Sequence, residues 1–412
     1  MTIATEVAAA LKPIVGGRLP IRLKMWDDSV TGPPDAPLVT VKSSNVLRRL
    51  LWNPSELGLA QAYILGEIDG DPKAVLEQVR AVPANTSLRE ARRSPANIAR
   101  LLELSIGLGA IGRRLPPPEN QARIGGRLHS PRRDRAVISH HYDLPPEFYS
   151  RILDPTMTYS CAFFTRNIPG TPADPGYGLE QAQIDKLNLV CDKVGLEPGM
   201  RLLDIGCGWG GLSLHAAQHY GAQVTGVTIS RQQKAYIDAQ ATRRGLGGAV
   251  EIKLQDYRYI DEADFDAIVS LEMGEHVGEK NYEIFAGVLC RRAARDARIL
   301  IQQMSRRRGR HAGGGPFIES FIAPDMTMRP VGETISYFER TGLEVVGVQN
   351  MREHYAWTVD EWSHNLDRQW HEVVETVGVA TARVWKLYLA GGGMAFRQGR
   401  MGVDQILMKK SR

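Results

Sequence analysis

The stretch Leu202-Leu203-Asp204-Ile205-Gly206-Cys207-Gly208-Trp209-Gly210-Gly211 constrains this chain more than any other. An apolar run closes on an acidic residue, and glycines follow at every second position. Leu212-Ser213-Leu214-His215-Ala216-Ala217 then opens a helical pattern. This is the strand, tight turn and helix start of a nucleotide-type site in an α/β sheet. Glycine allows the turn a positive φ and lets a ligand approach the backbone closely. The spacing is Asp-x-Gly-x-Gly-x-Gly rather than the Gly-x-Gly-x-x-Gly of dinucleotide enzymes. It favours S-adenosylmethionine, which has no pyrophosphate to cradle. Alone, such a loop also occurs at plain strand–helix turns, so the flanking sequence decides.

After the loop, residues 223–228 (QVTGVT), 250–254, 265–271 (FDAIVSL) and 297–303 (ARILIQQ) read as strands. Helical spacing at 230–243 and 282–292 separates them, with further helices at 331–341, 355–370 and 381–389 and a strand at 343–350. Upstream, 181–194 places Ile184, Leu187, Val190 and Cys191 on one helix face. The pattern predicts a Rossmann-like, doubly wound α/β sheet with ligands at the carboxyl ends of its strands. At 412 residues, there is room for more than one domain. Residues 19–26 and 37–41 read as strands, and 43–51, 56–65 and 72–82 as helices, with Asp71 as N-cap. We divide the chain into an N-terminal α+β domain (1–115), a Pro/Gly/Arg-rich linker (116–136) and the cofactor domain (137–412).

The formal net charge is +5, which favours an anionic partner without choosing between nucleic acid and a membrane surface. Arg89, Arg92, Arg93, Arg100, Arg113, Arg114, Arg123, Arg127, Arg132, Arg133 and Arg135 concentrate the positive charge around the linker. They read either as a solvated connection or as a surface for phospholipid headgroups, where each contributes about 1 kcal/mol. Cys161, Cys191, Cys207 and Cys290 are scattered without metal spacing, consistent with a reducing compartment. No leader pattern and no apolar run of ~20 residues is found. The expectation is a cytoplasmic protein that touches the inner membrane face peripherally.

Three strand ends build the cofactor site. Asp204, Gly206, Gly208 and Gly210 would approach the methionine part. No acid follows the second strand, but Thr228 and Gln233 can partner the ribose. After the third strand, Asp256 can accept from the adenine amino group and Tyr257 can stack on the ring. Each residue alone is equally a cap or a turn; their joint placement points to a site.

Tyr159-Ser160-Cys161, the glycine loop, Val227-Thr228-Ile229-Ser230, Leu254-Gln255-Asp256-Tyr257-Arg258 and Glu275-His276-Val277-Gly278 occur in order, after His141-Tyr142-Asp143-Leu144. In this the chain resembles the cyclopropane fatty acid synthase family, which includes mycolic acid cyclopropane synthases and related lipid methyltransferases. The likeness runs from about residue 139 to the C-terminus. It is weaker over Gly58-Leu59-Ala60-Gln61-Ala62-Tyr63 and Gly66-Glu67, which echo the family's small lipid-associated domain.

The resemblance implies S-adenosylmethionine-dependent methylation of a cis double bond in a phospholipid acyl chain. It adds Tyr159, Ser160 and Leu271 to the cofactor set. An alkene is a weak nucleophile, so the methyl sulfonium must be held in line and dry. Aromatic faces can stabilise the resulting carbocation; Tyr142, Tyr159, Phe163, Phe164 and Tyr355 are candidates. The resemblance further implies a bicarbonate base held by Cys161, Glu275 and Tyr355. Two departures concern that base. Gln302 stands where many members carry histidine, and can bind bicarbonate but not relay a proton. Gly274 stands where the family often has a bulky apolar residue, which is expected to widen or reshape the acyl pocket.

Loss of a proton from the new methyl closes a cyclopropane. The alternative quench leaves a methylene branch, which a partner reductase could convert to a methyl branch, as in enzymes of 10-methyl fatty acids. A homodimer facing the bilayer follows by analogy only. A nucleic-acid partner is disfavoured: Ser270-Leu271-Glu272-Met273-Gly274-Glu275 holds no Asn/Asp-Pro-Pro-aromatic motif. A small-molecule methyltransferase and a non-catalytic lipid-binding protein remain the other readings.

Overall fold

The computed structural model describes every residue except 16, 82–93, 123–124, 131, 135–136, 138–143, 169–173 and 412. Tyr142 and the rest of the His141–Asp143 motif, with Arg89, Arg92, Arg93, Arg123 and Arg135, lie outside the described residues. The chain forms two compact units: Met1–Gln121 with Val377–Met394, and Ala122–Thr376 with Ala395–Arg412.

In the first unit, the strands Val30–Thr31, Arg22–Lys24, Leu38–Val41 and Ile68–Asp69 lie side by side in that order. Leu23, Val39 and Val41 alternate inward and meet Val7, Val46 and Ala62 from neighbouring helices. Arg49 is almost fully buried and pairs with Glu67 at 2.7 Å. Asp71 accepts from the Lys73 amide at 2.9 Å and opens the helix Pro72–Ala81.

The second unit is built on seven strands: β1 Arg201–Ile205, β2 Gln223–Thr228, β3 Val250–Leu254, β4 Phe265–Leu271, β5 Ala293–Ser305, β6 Leu343–Asn350 and β7 Gly402–Lys410. Their order is β6-β7-β5-β4-β1-β2-β3. The five strands β1–β5 pair in parallel, whereas β7 is antiparallel to both β5 and β6. β1 and β4, in the middle of the sheet, are buried on both faces along most of their length, which explains their apolar runs. The helices α1 Leu179–Val194, α2 Gly211–Tyr220, α3 Arg231–Arg243 and α4 Tyr282–Arg292 join or flank these strands. Leu187, Val190, Leu212 and Ile237 fill one core, and Phe265, Phe285, Ile299 and Phe338 fill another. Strand order reverses at β1, where β4 and β2 depart to opposite sides and leave a crevice at the carboxyl ends. Among the described residues, no helix is long and apolar enough to cross a membrane.

Candidate active site

The carboxyl ends of β1 to β4 open onto one cavity. At β1, the Gly206 and Cys207 amides donate to Val227 O at 3.0 and 3.2 Å, folding the loop back over β2. Gly206 has φ 77°, and a Cβ there would come 2.8 Å from Met273 Cγ. Gly208 has φ 54°, lines the cavity, and a Cβ on it would meet nothing within 4 Å among the described residues. Its missing side chain therefore leaves room for a ligand. Gly210 is not part of the lining; it begins α2 and packs against Ile237. Asp204 is buried and accepts from Ser213 Oγ at 2.7 Å, while burial pushes its carboxyl up to about 6.

At β2, Thr228 Oγ1 donates to Gln233 Oε1 at 2.6 Å, and both residues line the cavity. Ser230 caps α3 by accepting from the Gln233 amide. At β3, Arg258 donates to both oxygens of Asp256 and also to Asp134 at 2.8 Å. The Asp256 carboxylate is thus fixed at the cavity wall. Tyr257 packs edge-on against Phe285 at 5.5 Å between ring centres. Tyr257 Oη, His276 Nδ1 and Trp209 Nε1 are buried on residues lining this cavity and have no partner among the described residues. Buried polar atoms are rarely left so unless something else satisfies them. The glycine cradle, the acid at β3 and these three orphaned atoms fit S-adenosylmethionine.

A carboxylate stands at the end of β4. Glu272 has φ 54°, a left-handed conformation uncommon for a residue with a Cβ, at a cost of roughly 1 kcal/mol. Its amide donates to Gln302 O at 2.6 Å. Its Oε1 accepts from the Cys161 amide and from Gln302 Nε2, both at 2.8 Å, and its Oε2 accepts from Tyr355 Oη at 2.5 Å. Burial pushes its carboxyl above the usual range, against the opposing pull of these hydrogen bonds and of Lys186. Lys186 is fully buried in α1 and donates to Ser160 Oγ at 3.0 Å. Glu272, Lys186, Tyr159, Ser160 and Leu271 all line the cavity, whereas Cys161, Gln302 and Tyr355 do not. Those three close around Glu272 from behind.

The structure therefore brings Cys161, Gln302 and Tyr355 together, but around Glu272 rather than Glu275. Glu275 is 1 % exposed, lies outside the cavity lining, and leaves Oε2 without a partner among the described residues. Burial, then repulsion from Glu272, raises its carboxyl to about 8. Gly274 does not enlarge the cavity. A Cβ there would fall 2.1 Å from Gln303 Oε1, which fills that space and accepts from Tyr282 Oη. Of the aromatic candidates described, Tyr159 lines the cavity, with Trp362 at 5.3 Å and Tyr149 at 6.0 Å between ring centres. Phe163 packs on His354, and Phe164 on Trp357. Glu272 was missed from sequence because a lone acid after a strand carries no pattern. Its position at a strand's carboxyl end was the available signal.

Gly208→Val tests the cradle. A β-branched side chain at positive φ, aimed into the cavity, is expected to weaken S-adenosylmethionine binding about ten-fold or more, ~1.4 kcal/mol. Isothermal titration reads this directly, and unchanged affinity would remove the loop from the site.

Comparisons with known proteins bear on this site. The family model described as mycolic acid cyclopropane synthetase matches residues 129–406. A probable fatty acid methyltransferase of Mycobacterium tuberculosis is 34% identical over 407 residues, covering 96% of this chain and 92% of that protein. The cyclopropane-fatty-acyl-phospholipid synthase of Escherichia coli K12 is 34% identical over 283 residues, covering 69% of this chain and 70% of that protein. A mycolic acid cyclopropane synthase solved with S-adenosylhomocysteine and CTAB superposes with a TM-score of 0.62 at 30% identity, covering 67% of this chain and 98% of that one.

Proposed function

The chain belongs to the mycolic acid cyclopropane synthetase family and is an S-adenosylmethionine-dependent lipid methyltransferase, and from that premise we propose that it methylates a cis double bond in a phospholipid acyl chain. One observation carries the reading: a single cavity runs from the glycine loop to the Tyr159 ring and the Glu272 carboxylate. An aromatic face and a fixed anion are the two groups that stabilise a developing cation.

Asp204 and the glycine loop hold the methionine end of the donor, Thr228 and Gln233 the ribose, and Asp256 and Tyr257 the adenine. Bound S-adenosylmethionine supplies an electrophilic methyl: the alkene π pair bonds its carbon, the C–S pair stays on sulfur, and the neighbouring chain carbon becomes cationic. Tyr159 offers its ring to that cation, and Leu271 helps to keep the reacting end dry. Removal of a proton from the new methyl lets its C–H pair close the cyclopropane.

A second outcome is suggested by two relatives that match along nearly the whole chain and are described as probable fatty acid methyltransferases rather than as cyclopropane synthases. If hydride first shifts from the methylated carbon to the cation, loss of a methyl proton gives a methylene branch. A reductase would then be required to saturate it.

Access to lipid fits the first unit. Its helix Pro95–Gly107 exposes Ile98, Leu102 and Ile106 at four-residue spacing, and Arg100, Arg113 and Arg114 are exposed. An apolar stripe near cations suits an anionic bilayer surface. Arg133, by contrast, is committed to Asp325 at 2.6 Å.

The test uses labelled S-adenosylmethionine and vesicles of an anionic phospholipid carrying cis-monounsaturated or fully saturated chains. Fatty acids released from the lipid go to gas chromatography–mass spectrometry. A saturated-ring product, one carbon heavier and made only from the unsaturated lipid, is expected. An isomer that hydrogenates to a methyl-branched chain selects the second outcome. Equal labelling of saturated lipid contradicts both.

A further inference from the structure

The family's expected base, bicarbonate, does not fit this site. It would need Cys161, Glu275 and Tyr355 as its holders, with Gln302 beside them, and Glu275 lies outside the cavity lining. In this chain the Cys161 amide, Gln302 Nε2 and Tyr355 Oη are all spent on the two oxygens of Glu272. The Cys161 thiol points elsewhere, to Ala162 O at 3.2 Å. A free anion beside Glu272 would also meet like charge, and the nearby Lys186 ammonium already serves Glu272.

The direction of the hydrogen bonds is set from outside the cluster. The Lys193 ammonium can only donate. It does so to Gln405 Oε1 at 2.6 Å, which commits the other end of that amide to donate. Gln405 Nε2 donates to Gln302 Oε1 at 2.8 Å, so Gln302 in turn presents Nε2 to Glu272. Gln302 and Gln405 are both about 1 % exposed or less. Lys193 thus orders two buried amides into a donor aimed at one carboxylate. The left-handed backbone of Glu272 turns its side chain back into that cradle, and Glu272 itself also faces the cavity. Strain of this kind persists where the surrounding contacts over-determine it.

We propose that Glu272 is the resident base of the methyl-transfer reaction, a carboxylate built into the chain in place of a bound bicarbonate. The inference rests on the alkene-methylation reading given above. The Glu272 carboxylate takes a proton from the transferred methyl, and the freed C–H pair forms the last carbon–carbon bond. Glu272 is left as the acid, and its proton passes to water through the open cavity once product leaves. A proton next to a carbocation is so acidic that the base's position matters more than its strength. Until then the anion stabilises the developing positive charge in a water-poor site. Cys161, Gln302 and Tyr355 are positioning residues for it.

The experiment measures labelled-methyl incorporation into cis-unsaturated vesicles in carbon dioxide-free buffer, with and without added bicarbonate. Wild-type turnover is expected to be the same in both. Glu272→Gln keeps an oxygen for Cys161 and Gln302, and the Tyr355 hydroxyl can turn to accept from its amide. Its fold and its S-adenosylmethionine affinity should therefore survive, while turnover falls about 10²–10⁴-fold. Glu272→Gly vacates the cradle and relieves the positive φ; it should be equally slow, and regain turnover when formate or bicarbonate is added. Wild-type stimulation by bicarbonate, or near-normal turnover of Glu272→Gln, overturns the inference. The wild-type comparison needs no variant to fold. A wild type that binds S-adenosylmethionine but labels no unsaturated lipid overturns the underlying reading, and the inference with it.

Discussion

Lys186→Met is expected to destabilise the second unit by about 3–5 kcal/mol, the usual cost of stripping one partner from a buried charge cluster. Lys186 is fully buried, and its ammonium is drawn upward by Glu272, Asp154 and Asp204 while burial pulls it down to about 8. Methionine matches the stem but leaves those buried carboxylates without a compensating cation. On a domain of this size the loss corresponds to a fall in Tm of roughly 10 °C. Thermal denaturation with and without S-adenosylmethionine checks it. An unchanged Tm would mean that Lys186 is not the counter-charge of Glu272.

Glu275→Gln should change the pH dependence of stability. The Glu275 carboxyl, ordinarily at 4.5, is raised to about 8 in the folded chain by burial and by Glu272. For an acid raised on folding, the folded state prefers the protonated form. Its contribution is complete below pH 4.5 and is lost as pH rises to about 8, at ~1.4 kcal/mol for each unit. Glutamine is neutral throughout and can fill the same space. The Tm of the variant should therefore climb above that of the wild type across this window and hold a constant lead beyond it, by several kcal/mol in equivalent stability. Parallel Tm curves would show that Glu275 ionises without penalty.

The parts legible in the sequence were those with local signals. The glycine loop, the apolar strands at β1, β2 and β4 and the helix before β5 each carry their pattern within a dozen residues. Cys161, Gln302 and Tyr355 were legible through motif likeness, and they do converge. What they converge on was not. The turn of Glu272 depends on a positive φ that its residue type disfavours, and on donors from three distant segments. The Lys193–Gln405–Gln302 chain depends on β7 lying between β5 and β6, a pairing set by contacts far apart in sequence. Residues 402–410 show no signal strong enough to predict that inserted position. The helix Trp370–Arg397 is broken at Gly378, with φ 78°, and Val377–Met394 counts with the N-terminal unit. That division too is tertiary. Gly274 had suggested a wider pocket, but Gln303 claims the space.

The central claim is methyl transfer to an alkene carbon followed by loss of a proton from that methyl. The direct measurement uses S-adenosylmethionine with a trideuterated methyl, vesicles of cis-monounsaturated anionic phospholipid, and mass spectrometry of the acyl chains and headgroups separately. The account predicts label in the acyl chain alone, with two of the three deuterons retained. Label in the headgroup, or an acyl product that keeps all three deuterons, would contradict it.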